Sequence, residues 1–194
     1  AISKAGFLPK YGATMVWGKD ETPWSWRFSE TNKQNIHSYQ VSRPIFDEIL
    51  LKRSAELGVL VEEESSVGKI MTDESNRGAV VINNNGQEYF QPAKFIVDAS
   101  GQSALLARNL NLRQWDENFQ NLAVYGYFTG AKKLPIPDEN NIFIESYENG
   151  WVWIIPLNGD ITSVGAVVDS NKSTAELRKI DPITFLKDQL SLTN

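Results

Sequence analysis

The stretch Gly150-Trp151-Val152-Trp153-Ile154-Ile155-Pro156 constrains the fold more than any other part of the chain. Side chains two positions apart in an extended strand leave the same face, so the two indoles point one way together. The residues between and after them are apolar, which predicts that the opposite face is buried too. Such a strand belongs inside a sheet. A core strand rich in tryptophan has the same pattern, and short aromatic spacings are weak motifs when taken alone.

The surrounding elements follow from the same alternation. Strands are expected at 122–128, 142–147, 151–157 and 162–169, with Asn158-Gly159-Asp160 turning between the last two. Near the start, 12–17 and 24–28 read as a hairpin across the polar turn Gly18-Lys19-Asp20-Glu21-Thr22-Pro23. Trp24, Trp26 and Phe28 alternate onto one face of it, and 29–38 reads as a loop. Residues 39–42 form a short strand. Pro44 then opens a helix in which Ile45, Phe46, Ile49, Leu50 and Leu57 recur at helical spacing until Gly58 caps it. Residues 59–64 are expected as the next strand. Residues 69–72, 78–82 and 88–90 make a three-stranded meander, turned at Asn83-Asn84-Asn85-Gly86. A strand at 94–97 leads into Asp98-Ala99-Ser100-Gly101 and a helix over 103–110. Residues 171–194 read as helical, with Asp181 capping a helix that opens at Pro182. The expected class is α+β: an antiparallel sheet layer, built from both ends of the chain, joined to a central β-α-β piece plus the meander.

Composition narrows the chemistry. The chain has 194 residues, 41% hydrophobic and 22% charged, the balance of a folded globular protein. A net charge of −5 without a basic run argues against a nucleic-acid partner. The absence of cysteine excludes disulfides, thiolate metal sites and a cysteine nucleophile, and fits a cytoplasmic protein. The single histidine, His37, leaves little material for a histidine metal centre or a Ser-His-Asp triad; it reads as a surface residue, and no metal site is expected. No apolar run reaches membrane-spanning length. Ala1-Ile2-Ser3-Lys4 reads as the interior of a longer sequence.

Candidate ligands lie beyond the carboxyl ends of the central strands, where open α/β sheets gather their ligands. Arg43 suits a phosphate or a surface ion pair. Asp98 suits a ribose hydroxyl, a bound water or the N-cap of the next helix. Gly101 either lets backbone approach a cofactor or turns the chain.

Three stretches together carry a resemblance. Val41-Ser42-Arg43-Pro44-Ile45-Phe46-Asp47, the helix ending in Ala55-Glu56-Leu57-Gly58, the meander, and Phe95-Ile96-Val97-Asp98-Ala99-Ser100-Gly101 resemble the central part of the p-hydroxybenzoate-hydroxylase-type flavoproteins. That group includes aromatic monooxygenases, geranylgeranyl reductases and halogenases. Gly6-Phe7-Leu8-Pro9-Lys10-Tyr11-Gly12-Ala13-Thr14-Met15-Val16-Trp17-Gly18 is similar to the segment bearing the active-site lysine of flavin-dependent halogenases, with Lys10 at the matching position. Trp151, Trp153, Ile155 and Pro156 fill every fixed position of the Trp-x-Trp-x-Ile-Pro signature of those halogenases. Ser163-Val164-Gly165 agrees with the family pattern as well.

The resemblance implies FAD as cofactor, with Arg43 near the dinucleotide, Val67 offering backbone to the adenine, and Asp98 to Gly101 closing over it. It implies that reduced FAD, supplied by a separate flavin reductase, reacts with O₂ and a halide ion to give hypohalous acid. A tunnel would lead that acid to Lys10, which either donates a hydrogen bond to it as an ammonium or forms a haloamine as a neutral amine. Trp151 and Trp153 would stand beside flavin and tunnel as separators, since an indole offers a donor N–H and no base. The implied substrate is an electron-rich small molecule, free or tethered to a carrier protein. A related hydroxylase or geranylgeranyl-reductase-like oxidoreductase is the alternative within the group, and a non-catalytic aromatic-cleft binding domain the alternative outside it. Two tryptophans together with Lys10 favour the halogenase. On this scheme residues 1–38 and 111–170 form a substrate-side sheet, 39–110 a partial FAD-binding domain and 171–194 a C-terminal helical segment.

Two expected cofactor motifs are missing from the sequence. There is no Gly-x-Gly-x-x-Gly turn for a flavin pyrophosphate, and Asn158-Gly159-Asp160, flanked by strands, does not match the family's later Gly-Asp motif. The resemblance therefore covers only the middle of such an enzyme, and this chain alone is expected to be inactive. Equilibrium titration with flavin should give a dissociation constant weaker than micromolar; sub-micromolar affinity would contradict that expectation.

Overall fold

The computed structural model describes residues 2–72 and 78–193. The chain divides into a larger unit, residues 1–53 with 118–194, and a smaller unit, residues 54–117. In chain order the elements are β1 (Leu8–Lys10), β2 (Gly12–Val16), β3 (Trp24–Arg27), the one-turn α1 (Phe28–Thr31), β4 (Ser38–Gln40), α2 (Arg43–Glu56), β5 (Ser65–Thr72), β6 (Gly78–Asn84), β7 (Gln87–Ala93), α3 (Leu105–Asn109), β8 (Asn121–Thr129), β9 (Ile142–Tyr147), β10 (Gly150–Pro156), β11 (Ile161–Asp169), α4 (Ser170–Leu177) and α5 (Pro182–Leu190). No helix among the described residues is long and apolar enough to cross a membrane.

The larger unit is organised by a six-stranded sheet in the order β3-β2-β9-β10-β11-β8. Successive side chains leave opposite faces of each strand, most plainly along β8, where exposed and half-buried residues alternate, so the sheet has two different faces. Val152, Ala166 and Leu186 form a buried cluster on one of them, with Val124, Phe128, Tyr147 and Leu190 packed around it. Helix α5 supplies Leu186 and the fully buried Phe185. Burying side chains of this size contributes about 1.5–3 kcal/mol each. The helix starts where Asp181 accepts hydrogen bonds from the N–H groups of Ile183 and Thr184, both at 3.0 Å, which satisfies donors that a helix leaves open at its N-terminus. Asp169 does the same for α4 by accepting from the Asn171 N–H at 2.8 Å. A separate two-stranded sheet pairs β1 with β4.

The smaller unit contains the β5-β6-β7 meander. Asn85 and Gly86 turn β6 into β7 with φ of 51° and 84°, the left-handed conformation that Asn and Gly tolerate best. The register of β5 slips between Val67 and Lys69, leaving a bulge at Gly68.

The α+β class, the sheet layer and the meander stand as expected, and five local expectations are corrected. Residues 59–64 and 94–97 are not strands. Strand formation needs a backbone partner as well as apolar side chains, and among the described residues neither segment has one; Leu60 is 80% exposed and Phe95 85%. The central β-α-β piece is thus reduced to β4 and α2, and β4 pairs with β1. The hairpin strand stops at Arg27, and the chain turns into α1 at Phe28, so 29–38 is not wholly loop. The first helical turn includes Arg43. The large sheet is not entirely antiparallel: β2 runs parallel to β9.

Candidate functional site

The face of the six-stranded sheet opposite the buried cluster is aromatic. Trp153 pairs with Ile144 on one side and Gly165 on the other; Gly165 pairs with Tyr125, Ile144 with Met15, and Met15 with Trp24. One transverse row therefore reads Trp24, Met15, Ile144, Trp153, Gly165, Tyr125. The glycine in it is required by close approach. A Cβ at position 165 would stand 2.3 Å from the Cζ2 atom of Trp153, so the indole lies across β11 only because that residue has no side chain. Its Nε1–H donates to Ser163 Oγ at 3.2 Å, which fixes the ring's rotation. Trp151 lies 5.8 Å away between ring centroids, and Tyr125 lies 6.1 Å away on the other side, followed by Tyr127 at 6.3 Å from Tyr125. Beside Trp151 a recess of about 540 Å³ is walled by Met15, Trp17, Trp24, Ile144 and Trp151, all apolar or aromatic and none charged.

Lys10 belongs to the same unit and is held from several directions. On β1 it pairs with Ser38, which puts its side chain on the same face as Leu8 and buried Gln40. Phe7 is buried and meets Phe46 of α2 edge-on at 6.1 Å. The Tyr11 carbonyl accepts from the Phe28 N–H at 2.9 Å. Asn158 makes the most telling contact. Its Oδ1 accepts from the Leu8 N–H at 2.9 Å, and its Nδ2 donates to the Gly6 carbonyl. One side-chain amide thus ties the lysine-bearing strand to the turn that follows the tryptophan strand. Burial lowers the pKa of Lys10 below its ordinary value, because desolvation disfavours the charged ammonium.

Comparison with known proteins identifies the fold. A family model described as tryptophan halogenase matches residues 7–180. The flavin-dependent halogenase armH3 of Armillaria mellea is 36% identical over 177 residues, covering 87% of this chain and 35% of the relative. A 1H-pyrrole-2-carbonyl peptidyl-carrier-protein chlorinase of Pseudomonas fluorescens is 32% identical over 158 residues, covering 76% of this chain and 35% of the relative. The solved structure of the FAD-dependent myxobacterial chondrochloren halogenase CndH superposes with a TM-score of 0.89 at 36% identity, covering 99% of this chain and 44% of that one. The flavin-dependent halogenase CmlS superposes with a TM-score of 0.91 at 30% identity, covering 99% of this chain and 35% of that one. The chain belongs to the tryptophan halogenase family. It spans about a third of the length of the curated relatives it matches.

Within a member of this family, each residue expected to act has a definite place. Trp151, Trp153 and Ile155 share the aromatic face by alternation. Pro156 leaves the opposite face, where it is buried. Arg43, at the first turn of α2, pairs with Asp47 at 3.1 Å and keeps 74% of its side chain exposed. In the smaller unit, Val67 precedes the β5 bulge, and Gly101 takes φ +61° with open space where a Cβ would stand. Asp98 accepts from the N–H groups of Ser100 at 2.9 Å and Leu106 at 2.7 Å, so its carboxylate caps the start of α3. Hydrogen bonding from Ser100, then from the Leu106 N–H, holds that carboxyl below its ordinary pKa. His37 is exposed and lies edge-on to Tyr39 at 5.3 Å. Tyr125, Tyr127 and Asn158 join the site without having been expected there; the Tyr-x-Tyr spacing of β8 carries the same same-face signal as Trp-x-Trp.

Two outcomes follow from this geometry. Gly165→Ala should overpack the Trp153 contact and destabilise the chain by about 1–3 kcal/mol, read as a lower thermal midpoint with altered tryptophan fluorescence; an unchanged midpoint would contradict the close approach. For Lys10 the sign is set by proton uptake. The unfolded chain binds the lysine proton more tightly than the folded chain, so folding stability contributed by this group rises with pH from the lowered pKa up to about 10.4. The stability of the parent minus that of Lys10→Met, measured by thermal unfolding at stepped pH, should increase across that window; a flat difference would contradict the burial of the amine.

Proposed function

We propose that this chain supplies the lysine-bearing and tryptophan-bearing walls of a flavin-dependent halogenase that places halogen on an electron-rich carbon. The observation that carries this reading is Lys10. In a chain of this family, the lysine sits half-buried on a short strand that Asn158 clamps to the end of the tryptophan strand.

Reduced FAD, when bound, would supply with O₂ and a halide ion the hypohalous acid that such an enzyme spends. The residues proposed for FAD are Arg43 in the larger unit and Val67, Asp98 and Gly101 in the smaller. Within its own unit, each suits one part of a dinucleotide. The Arg43 guanidinium is exposed at a helix start, where anions are favoured. Gly101 leaves room for a close approach, and Asp98 shapes the loop that contains it.

The remaining roles fall to this chain's own side chains. Desolvation raises the neutral fraction of the Lys10 amine, the form able to take halogen from hypohalous acid with release of water; the ammonium form can donate a hydrogen bond to the same acid. Trp151 and Trp153 present π faces and no base, so they bound the space and exclude water. The apolar recess beside Trp151 accepts an uncharged ring or acyl group. The relative named as a peptidyl-carrier-protein chlorinase supports a substrate tethered to a carrier protein, and a free small molecule fits the same open recess. A separate flavin reductase supplies reduced FAD in this scheme.

The test uses the native-length protein with reduced flavin, O₂ and chloride or bromide, a chemical trap for hypohalous acid and an electron-rich substrate. The parent should form both trapped halogen and halogenated product. Lys10→Ala should still form trapped halogen and lose the product. Normal product formation by Lys10→Ala would overturn the role given to Lys10.

A further inference from the structure

A cavity of about 300 Å³ lies against the face of the large sheet that carries Ile154 and Pro156, opposite the tryptophans. Leu134, Pro135, Phe143, Ile154 and Pro156 give it apolar walls, and Thr162 and Asn141 contribute polar atoms. Glu139 also lines it, and the Oε2 atom of Glu139 is buried without a hydrogen-bond partner among the described residues. Buried carboxylate oxygens are normally satisfied, because leaving one unpaired costs the full desolvation of that atom.

The loop that holds Glu139 is anchored on both sides of it. Asp138 accepts from Ser25 Oγ at 2.8 Å and pairs with Arg27 at 3.4 Å. The Asn140 carbonyl accepts from Gln40 Nε2 at 3.2 Å, and Asn141 Nδ2 donates to Thr14 Oγ1 at 3.3 Å. The carboxylate is therefore kept at the cavity by its neighbours while its last torsion stays soft. A donor entering the cavity can draw the unpaired oxygen round to meet it.

We propose that this cavity binds a small molecule that carries a protonated primary amine on an apolar body. The ammonium meets the Glu139 carboxylate in a charge-assisted hydrogen bond, and the body packs on Phe143, Ile154 and Pro156. Lys132 and Lys133, both exposed, contribute positive charge to the wall. They repel a simple amine only weakly through solvent, and they attract a carboxylate carried by the same ligand. A free amine and an apolar amino acid share the required chemistry, and the lysines discriminate between them. This site lies on the face away from Trp151 and Trp153, so its failure leaves the halogenase reading untouched.

Calorimetric titration of the native-length protein with 2-phenylethylamine, phenylalanine and 3-phenylpropionate tests the proposal. Both ammonium-bearing probes should bind and 3-phenylpropionate should not; tighter binding of phenylalanine identifies the amino-acid source, and tighter binding of the amine the free-amine source. Glu139→Gln keeps the shape and removes the charge, and should weaken both probes about tenfold or more. Leu134→Trp, which narrows the cavity and leaves Glu139 in place, should abolish binding with an unchanged circular dichroism spectrum. Failure of both ammonium probes to bind at millimolar concentration, equal binding of 3-phenylpropionate, or unchanged affinity in Glu139→Gln would overturn it.

Discussion

The arrangement of the larger unit depends on one missing side chain. Gly165 gives the Trp153 indole a place to lie across the neighbouring strand, and Ser163 on the same strand holds its N–H. The ring then lines up with Trp151 and Tyr125, and a continuous run of four rings, from Trp151 through Trp153 and Tyr125 to Tyr127, lies on one face of the sheet. Period-two alternation does the rest. Val152, between the two tryptophans, falls on the other face and packs with Ala166 and Leu186. The same strand thus serves the core and the candidate site without compromise between them.

Asn158 connects that surface to Lys10. A side-chain amide that accepts from one backbone N–H and donates to one backbone carbonyl is a specific device, because both partners must arrive in register. Here the partners lie in the segment just before the lysine. The clamp, the β1–β4 pairing and the Phe7–Phe46 contact hold the lysine segment where part of the amine's hydration is lost. Loss of hydration, and not a neighbouring charge, is what shifts its pKa, and a neutral amine is the reactive form of a lysine nucleophile.

Much of this was readable in the sequence, and the remainder has physical causes. Alternation located β9 and β10, and the Asp181-Pro182 pair located the start of α5, because these signals are local. The parallel pairing of β2 with β9 was not readable, since alternation does not record which way a neighbour runs. Segments 59–64 and 94–97 have strand-like composition and no partner among the described residues, and composition alone cannot supply one. The Asn158 clamp spans 150 residues of sequence, so its turn-like surroundings disguised it. Tyr125 and Tyr127 are the opposite case, a spacing as plain as that of the tryptophans. Glu139 became visible only once the loop around it was anchored in space.

The activity proposed for the native-length protein is halogenation and not hydroxylation. Mass spectrometry of the product made by the native-length protein with reduced flavin and O₂, in chloride, in bromide and without halide, tests it most directly. The account predicts the chlorine isotope pair in the first case, the bromine pair in the second and no product in the third. A product that gains oxygen in all three, with neither halogen pattern, would contradict it.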